Sequence, residues 1–296
     1  PTTTDFLFEP PCLEDPLLMD VPASGESGII RVELPSDRDA CLRMPDRVVT
    51  DAVNIVGGRH VRLIGGHIVA AQTRTNGCHD DVPYGCPTTA LKTVVRLTEF
   101  TGSFTVEGTH VDVNGNGADA IHVRGGEEAH KRRDVYLRRV FVEGYTGIHH
   151  GVHGDTFHTQ GNVRDLYVDH LSTRSGMNSL VLHSDRLFGD VLVRRYDIGP
   201  DPRFASGELL CWPELIPEDG RGCGVNACMQ SAIPVSHVEE VYCTGRFISG
   251  DERLTPGDHP EIHSYPHPDG GFVDPGSVGL HYRPAHDPCA CTTTGE

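Results

Sequence analysis

The chain carries Asp119-Ala-Ile-His-Val-Arg-Gly125 and, further along, Asp155-Thr-Phe-His-Thr-Gln-Gly161, which share one pattern. In both, apolar or small side chains alternate with polar ones, the period-2 signature of a strand with one face in a core and one in solvent. Asp51–Gly58 and Asn178–Ser184 fit the same template. We therefore expect these strands to stack in register and to direct their histidines toward water.

Stacking in register predicts a polar surface built from rows that run across the strands. The first row holds Asp51, Asp119, Asp155 and Asn178; the second holds Asn54, His122 and His158; the third holds Arg124, Gln160 and His183. Neighbouring strands lie about 4.8 Å apart, so side chains of one row can act on the same ligand. We interpret this surface as the functional face.

A second strand pattern recurs along the chain at irregular intervals. Its copies are Val61–Leu63, Phe104–Val106, Val135–Leu137, Leu166–Val168, Val191–Val193 and Val241–Cys243. A third short strand often follows after two or three residues, and no stretch of ten or more residues shows a helical period. Irregular repeats of this kind are typical of solenoids whose turns carry insertions. The pattern predicts an all-β fold, a parallel β-helix, because an antiparallel sandwich would not explain why matching positions recur.

The predicted organisation is a single domain. Residues 1–50 form an N-terminal cap and the first strands, 51–250 form the solenoid turns, and 251–296 form one last turn, at Val278–Arg283, with a loop-rich C-terminal cap. Long insertions at about 72–92 and 199–223 interrupt the repeat. Insertions on a solenoid usually wall one face and shape a binding groove.

Cysteine usage indicates an oxidising compartment. The chain has 10 cysteines, and close pairs such as Cys78/Cys86, Cys223/Cys228 and Cys289/Cys291 suggest short disulfide-closed loops. Zinc ligation is the alternative, but no CxxC pair occurs. The chain begins at Pro1 without a leader-like segment, as a processed mature chain would. We expect a protein secreted to the extracellular space or the periplasm, with the disulfide pairing left open.

Charge and hydropathy exclude two classes of partner. The net charge of −17 argues against nucleic acid, whose phosphates would be repelled. No apolar run is long enough to cross a bilayer. Residues 120–200 are nearly balanced, with 11 basic and 10 acidic residues. The predicted functional face therefore lies in the least acidic part of the chain, which is compatible with an anionic ligand.

The strand pattern over about 50–250 and the segment His153-Gly-Asp-Thr-Phe-His-Thr-Gln160 resemble the pectate-lyase-like superfamily of right-handed parallel β-helices. The resemblance implies a right-handed solenoid and an extracellular protein that acts on polysaccharides as a lyase, hydrolase or uronate epimerase, or a non-catalytic module. The chain lacks the N-T-D, D-D and G-H-G set of polygalacturonases and the R-x-P-x-x-R stretch of pectate lyases. The resemblance therefore does not single out one family.

The residues of the functional face suit β-elimination of a uronic-acid polymer. That reaction needs a group that neutralises the sugar carboxylate, a base that removes the C5 proton and an acid for the leaving oxygen. His158 is the predicted base because histidine titrates near neutral pH. Arg124 and Gln160 are predicted to hold the carboxylate. His122 or Tyr145 would be the acid.

Five further residues complete the predicted site. Asp155 would orient a histidine or bind a sugar hydroxyl, while Asp119, Arg133, His153 and His183 would contact the polymer. Asp119 and Asp155 also occupy corner positions, where aspartate commonly caps a turn through nearby backbone N–H groups. An outward histidine on a solenoid is by default a solvated surface residue, so the structural interpretation of these positions stays open.

No metal is assigned firmly from the sequence. A divalent metal, calcium or zinc, is the alternative, and a cluster of His149, His150, His153 and Asp155 could bind zinc or another divalent ion. A second histidine-rich group lies near the C-terminus at His259, Glu261, His263, His267 and Asp269.

The sequence therefore predicts a secreted β-helix lyase that acts on an acidic polysaccharide. A non-catalytic β-helix for polysaccharide binding, adhesion or extracellular assembly is the alternative from another class. A glycoside hydrolase or a uronate epimerase on the same scaffold is a further alternative, since Asp119 and Asp155 are predicted neighbours.

Overall fold

The computed structural model describes residues 8–71, 93–114, 118–125, 133–144, 155–174, 180–182, 189–201, 227–231, 233–243 and 246–290. Within these ranges the chain is nearly all β, as predicted, with twenty strands and two short 3-10 helices. The predicted insertion 72–92 and most of 199–223 lie outside them. None of the helices in these ranges has the length and apolar character needed to span a membrane.

The strands form two sheets. Sheet 1 has eleven strands: β1 (Leu17–Asp20), β3 (Ala40–Arg43), β5 (His60–Ile64), β6 (His67–Val69), β8 (Ser103–Glu107), β9 (His110–Asp112), β11 (Asp134–Glu143), β13 (Leu166–Arg174), β15 (Val191–Gly199), β17 (His237–Cys243) and β20 (Ile262–Ser264). Sheet 2 has nine strands: β2 (Ile29–Leu34), β4 (Ala52–Gly57), β7 (Thr93–Thr98), β10 (Asp119–Arg124), β12 (Phe157–Gln160), β14 (Leu180–Leu182), β16 (Ala227–Ser231), β18 (Arg246–Ser249) and β19 (Glu252–Leu254).

The chain passes back and forth between the two sheets. From β1 through β18 the chain leaves one sheet for the other and then returns, and each new strand lies beside the previous strand of the same sheet. The short strands β6 and β9 are the exception: each follows another strand of sheet 1, and they pair with each other. All pairs of these strands are parallel except β18 with β19. Equivalent positions of successive passes therefore stand in register, as the repeats predict.

The core lies between the sheets as stacked rows of apolar side chains. One row of sheet 2 holds Val53, Val95, Ile121, Phe157, Leu180, Met229 and Phe247, none more than 1% exposed. Alternate residues of each strand point inward, so the period-2 pattern becomes one continuous core. Truncating a buried side chain such as Phe157 to alanine costs about 3–5 kcal/mol in comparable cores.

Within each repeat, the predicted break between the second and the third strand pattern takes two forms in the structure. Gly65 and Gly66 separate β5 from β6, and both have positive φ. In the long strands β11, β13 and β15, a single residue with positive φ bends the chain instead: Arg139, His170 and Arg195. The residues that precede them, Arg138, Asp169 and Arg194, are in register on neighbouring strands, so the three bends stack on one another.

The C-terminal segment runs along the outer face of sheet 1. Val273 N donates to Ser172 Oγ at 2.8 Å, Gly279 N donates to Gly108 O at 2.8 Å, and Tyr282 Oη donates to Glu107 Oε1 at 2.5 Å. The prediction of a last turn at Val278–Arg283 is wrong, because the 3-10 helix η2 (Gly279–His281) occupies this segment, shortly after η1 (Pro275–Ser277). Backbone bonds to sheet 1 replace the strand pairing that a further turn would make.

Among the described residues, two cysteine pairs lie at disulfide distance. Cys41 on β3 pairs with Cys289 (Cα–Cα 5.6 Å), and Cys228 on β16 pairs with Cys243 on β17 (Cα–Cα 5.9 Å). The predicted short loops Cys223/Cys228 and Cys289/Cys291 are therefore wrong. Stacking and the return of the C-terminal segment bring sequence-distant cysteines together, whereas spacing shows only local neighbours. Cys78 and Cys86 lie outside the described residues.

Candidate functional site

The candidate site lies on the outer face of sheet 2, where β7, β10 and β12 are adjacent. His122 is in register with His158, and Arg124 is in register with Gln160, so the predicted stacking of the two matching stretches is confirmed. Ile121 and Phe157, next to the histidines, belong to the core. Because neighbouring residues of a strand point to opposite faces, both histidines point away from the core.

The two histidines are nevertheless buried, and the prediction that they face water is wrong. His122 is 9% exposed and His158 is 6% exposed, whereas Arg124 and Gln160 are exposed as predicted. The imidazole rings stack with their centroids 5.0 Å apart and an interplanar angle of 18°. Their burial is tolerated because carboxylates lie beside them, and polar groups that leave water need such partners.

Asp119 and Asp155 supply those carboxylates. Asp119 is the first residue of β10 and Asp155 precedes β12, and they are 8% and 0% exposed. His158 Nδ1 lies 3.1 Å from Asp155 Oδ2 and 3.5 Å from Asp119 Oδ2. His122 Nδ1 lies 3.4 Å from the same Asp119 oxygen. We call these four side chains the His–Asp cluster.

Asp119 also has the structural role that its corner position predicts. Its Oδ1 accepts a hydrogen bond from the backbone N–H of Asp155 at 3.1 Å. One carboxylate oxygen thus ties together two successive passes of the chain, and the other contacts the imidazoles. The cluster is held rigidly, because backbone and side-chain contacts orient the same group.

Electrostatics within the cluster oppose the role predicted for His158. Burial by itself would lower the pKa of His158, but hydrogen bonds with Asp119 and Asp155 outweigh it and raise that pKa to about 9. Burial would likewise raise the pKa of Asp119, but hydrogen bonds with His122 and His158 lower it to about 2. An imidazole that stays protonated at neutral pH does not suit a general base there.

Sequence reasoning missed Arg96. Strand β7 lies between β4 and β10, and Arg96 is in register with Asn54 on one side and His122 on the other. The predicted row therefore contains an arginine between Asn54 and His122. The adjacent valines at 94 and 95 interrupt the alternation, and the strand follows a long insertion. The signal that could have found it is Val95-Arg-Leu-Thr98, which matches Ile121-His-Val-Arg124.

Three atoms along this row are buried without a hydrogen-bond partner in the described part of the chain: Asn54 Oδ1, Arg96 Nε and His122 Nε2. Asn54 and Arg96 are themselves only partly buried. Buried polar atoms normally have partners. A row of such atoms beside exposed Arg124 marks this face as one that still has hydrogen-bonding capacity.

Of the remaining predicted site residues, Arg133 alone belongs to the part of the chain that the structure describes. Arg133 is 3% exposed and its Nε donates to Phe100 O at 2.7 Å. A buried guanidinium that binds a backbone carbonyl supports the chain locally, and a polymer contact of Arg133 stays a prediction. Tyr145, His153, His183 and Asn178 lie outside the described residues.

Asp119, Asp155 and His158 are a potential metal-ligand set. Each offers one ligand atom, and these atoms lie within 4.8 Å of one another. In the described ranges this is the one group of three or more such residues that meets this condition. The alternative at His149, His150 and His153 falls outside those ranges. In the C-terminal group, His263 and His267 pack against the Tyr242 ring.

No family model, curated protein or solved structure matches this chain. The function therefore has to be inferred from the geometry of its own residues.

Proposed function

We propose that the chain is a right-handed parallel β-helix protein of the pectate-lyase-like kind. The support is the alternation of the chain between two parallel sheets, with registered rows such as Val53–Val95–Ile121–Phe157 stacked between them. A parallel return to the same sheet is right-handed in almost all known proteins. The two cysteine pairs at disulfide distance fit secretion into an oxidising compartment.

The function proposed for this scaffold is β-elimination of an acidic, uronic-acid-containing polysaccharide. The observation that carries it is the group of cationic and amide side chains on adjacent strands of sheet 2: Arg96 on β7, Arg124 on β10 and Gln160 on β12. Strands lie about 4.8 Å apart, so a polymer that crosses them meets a new side chain at roughly each sugar unit.

Arg124 and Gln160 are the proposed binding pair for the uronate carboxylate. They are exposed and in register on neighbouring strands. A guanidinium binds a carboxylate through a planar fork of N–H donors, and the amide N–H₂ of glutamine adds another donor. Neutralising the carboxylate makes the neighbouring C5–H bond more acidic, which is the first requirement of the elimination.

His122 is the proposed base, in place of His158. Its Nδ1 faces Asp119 at 3.4 Å, so a carboxylate orients the ring and directs Nε2 away from it. In the reaction His122 takes the C5 proton, the C4–O bond breaks, and the leaving oxygen receives a proton from an acid. Tyr145 remains the acid candidate from the sequence. His122 Nε2 is buried in the structure, so the reaction requires a change in its surroundings that lets the C5 proton reach it.

That burial also favours a second function, non-catalytic polysaccharide binding. A base must reach the substrate within hydrogen-bonding distance, and both histidines are buried residues, 9% and 6% exposed. Hydrolysis is favoured less than elimination, because Asp119 and Asp155 both face the imidazole of His158 and do not flank an open space for a glycosidic bond.

Polymer cleavage with alginate, pectate, hyaluronan and glucuronan distinguishes these functions. Elimination creates an unsaturated uronate, so absorbance in the ultraviolet should rise with at least one polymer. His122→Ala should lower the rate about 10²–10⁴-fold, the usual contribution of a general base. His170→Ala, a histidine on sheet 1, is the matched control and should keep the activity. Binding without any rise in absorbance would leave only the non-catalytic function.

A further inference from the structure

The His–Asp cluster has the composition of a transition-metal site. Two carboxylates and an imidazole, from Asp119, Asp155 and His158, converge from the ends of two neighbouring strands. Imidazole nitrogen is a ligand of zinc and other first-row transition ions, whereas calcium and magnesium prefer a set made of oxygens alone. A ligand set of two carboxylate oxygens and one imidazole nitrogen therefore fits a transition-metal ion better than calcium or magnesium.

The distances within the cluster also fit such an ion. A tetrahedral ion with bonds of about 2.1 Å places its ligand atoms about 3.4 Å from one another. His158 Nδ1 lies 3.1 Å from the Asp155 carboxylate and 3.5 Å from that of Asp119. All three ligand atoms lie within 4.8 Å of one another, so the carboxylates need only small movements to share one ion.

The surroundings hold these ligands in place. Asp119 Oδ1 accepts the Asp155 N–H at 3.1 Å, which leaves Oδ2 directed at the imidazoles. His122 Nδ1 lies 3.4 Å from that same Oδ2, and the imidazole ring of His122 stacks on that of His158. Metal ligands in proteins are typically oriented by neighbours of this kind, so a preformed geometry costs little to occupy. Burial of all three ligands excludes most competing water.

We propose that Asp119, Asp155 and His158 bind one divalent transition-metal ion, of which zinc is the best match, between strands β10 and β12. On binding, the ion displaces the proton of His158 Nδ1 to solvent, neutralises the two buried carboxylates and links two successive passes of the chain. At least one coordination position remains for water or for an oxygen of a ligand. The inference goes beyond the proposed polysaccharide cleavage, because the ion binds whether or not the chain is a lyase.

Zinc titration of the metal-stripped full chain, followed by calorimetry, tests this site. We expect one tight site whose affinity falls at least about 100-fold in Asp155→Asn and in His158→Gln, since each removes a ligand. The matched controls are His170→Gln, which alters a second Asp–His contact on sheet 1, and Asp251→Asn at an exposed position. Both controls should bind zinc as the unaltered chain does.

Cobalt(II) supplies a readout that does not depend on activity. Bound at the cluster, it should show the visible absorption of a four- or five-coordinate ion, and this absorption should be lost in His158→Gln. Zinc should also raise the thermal midpoint of the unaltered chain, because an ion that binds only the folded state stabilises it. Circular dichroism shows whether each variant is folded. If Asp155→Asn or His158→Gln does not fold, Asp119→Asn is tested in its place. Unchanged zinc affinity in folded Asp155→Asn and His158→Gln, or no tight binding at all, would overturn the proposal.

Discussion

The outer faces of the two sheets carry similar residues but balance their charges differently. On sheet 1, Asp169 lies 3.0 Å from Arg194 Nη2, 3.2 Å from Arg195 Nε and 3.0 Å from His170 Nδ1. One carboxylate there faces two guanidiniums and an imidazole. On sheet 2, the carboxylates of Asp119 and Asp155 converge on imidazoles. The first arrangement is neutralised by its own side chains, and the second suits an added cation.

The two faces also differ in what covers them. Phe8 stands 4.1 Å from the Arg194 guanidinium on sheet 1, and the C-terminal segment bonds to Ser172 and Gly108 of the same face. On sheet 2, Arg124 and Gln160 stay exposed. The comparison teaches that a polar outer row becomes structural where distant chain segments bond to it, whereas exposed side chains such as Arg124 and Gln160 remain available for a ligand.

Replacing Asp169 should have the largest effect on stability. Asp169→Asn removes the carboxylate charge that the buried Arg194 guanidinium faces at 3.0 Å, and breaking such a buried pair costs about 3–5 kcal/mol. Denaturant unfolding measures the loss. Asp251→Asn, at an exposed position, is the control and should change the free energy of unfolding by less than about 0.5 kcal/mol. A cost for Asp169→Asn as small as that of the control would remove the distinction between the faces.

Replacing Arg124 should have a smaller effect, on binding alone. Arg124→Ala removes an exposed guanidinium from sheet 2, so the dissociation constant for an acidic polysaccharide should rise about 10-fold, the equivalent of one charged hydrogen bond. The free energy of unfolding should stay within about 0.5 kcal/mol of its original value. Arg253→Ala, exposed on β19, serves as the matched control for net charge. Equal weakening by both substitutions would show that net charge, and not this face, binds the polymer.

The smallest effect concerns acid stability beneath the C-terminal segment. The rings of His67 and His110 stack with their centroids 4.0 Å apart. Burial is the main cause that lowers the pKa of His67 from 6.5 to about 4, and the charge of His110 adds to it. The other ionisable groups around His67 are Asp112, Glu143 and His281. A depressed histidine pKa means that the unfolded chain binds the extra proton first. Stability from this group is complete above pH 6.5 and is lost as the pH falls toward about 4.

His67→Gln should therefore flatten this part of the stability profile. Unfolding midpoints between pH 4 and 7 should fall less steeply for His67→Gln than for the unaltered chain. A change at the exposed site His286→Gln is the control and should leave the slope as it was. Parallel profiles for His67→Gln and the unaltered chain would show that His67 does not contribute to acid sensitivity.

Local pattern was enough to predict part of the fold and of the candidate site. The alternation in Asp119–Gly125 and Asp155–Gly161 predicted the pairing of His122 with His158 and of Arg124 with Gln160, and both pairs are in register. Strand β7 was not predicted because its alternation of apolar and polar side chains begins only at Val95, and Arg96 was therefore missed. The burial of the histidines was also missed, because a strand pattern distinguishes the two faces of a sheet but not what later covers them.

The amino-acid order by itself determined the strands, their parallel stacking and the row that holds the histidines, because side-chain alternation and corner residues act over a few positions. Only the tertiary structure decided which outward side chains are buried, how Cys41 meets Cys289, and that Asp119 and Asp155 share one imidazole. These features depend on contacts between segments far apart in the chain. Their energies arise from burial and charge pairing, which no local spacing encodes.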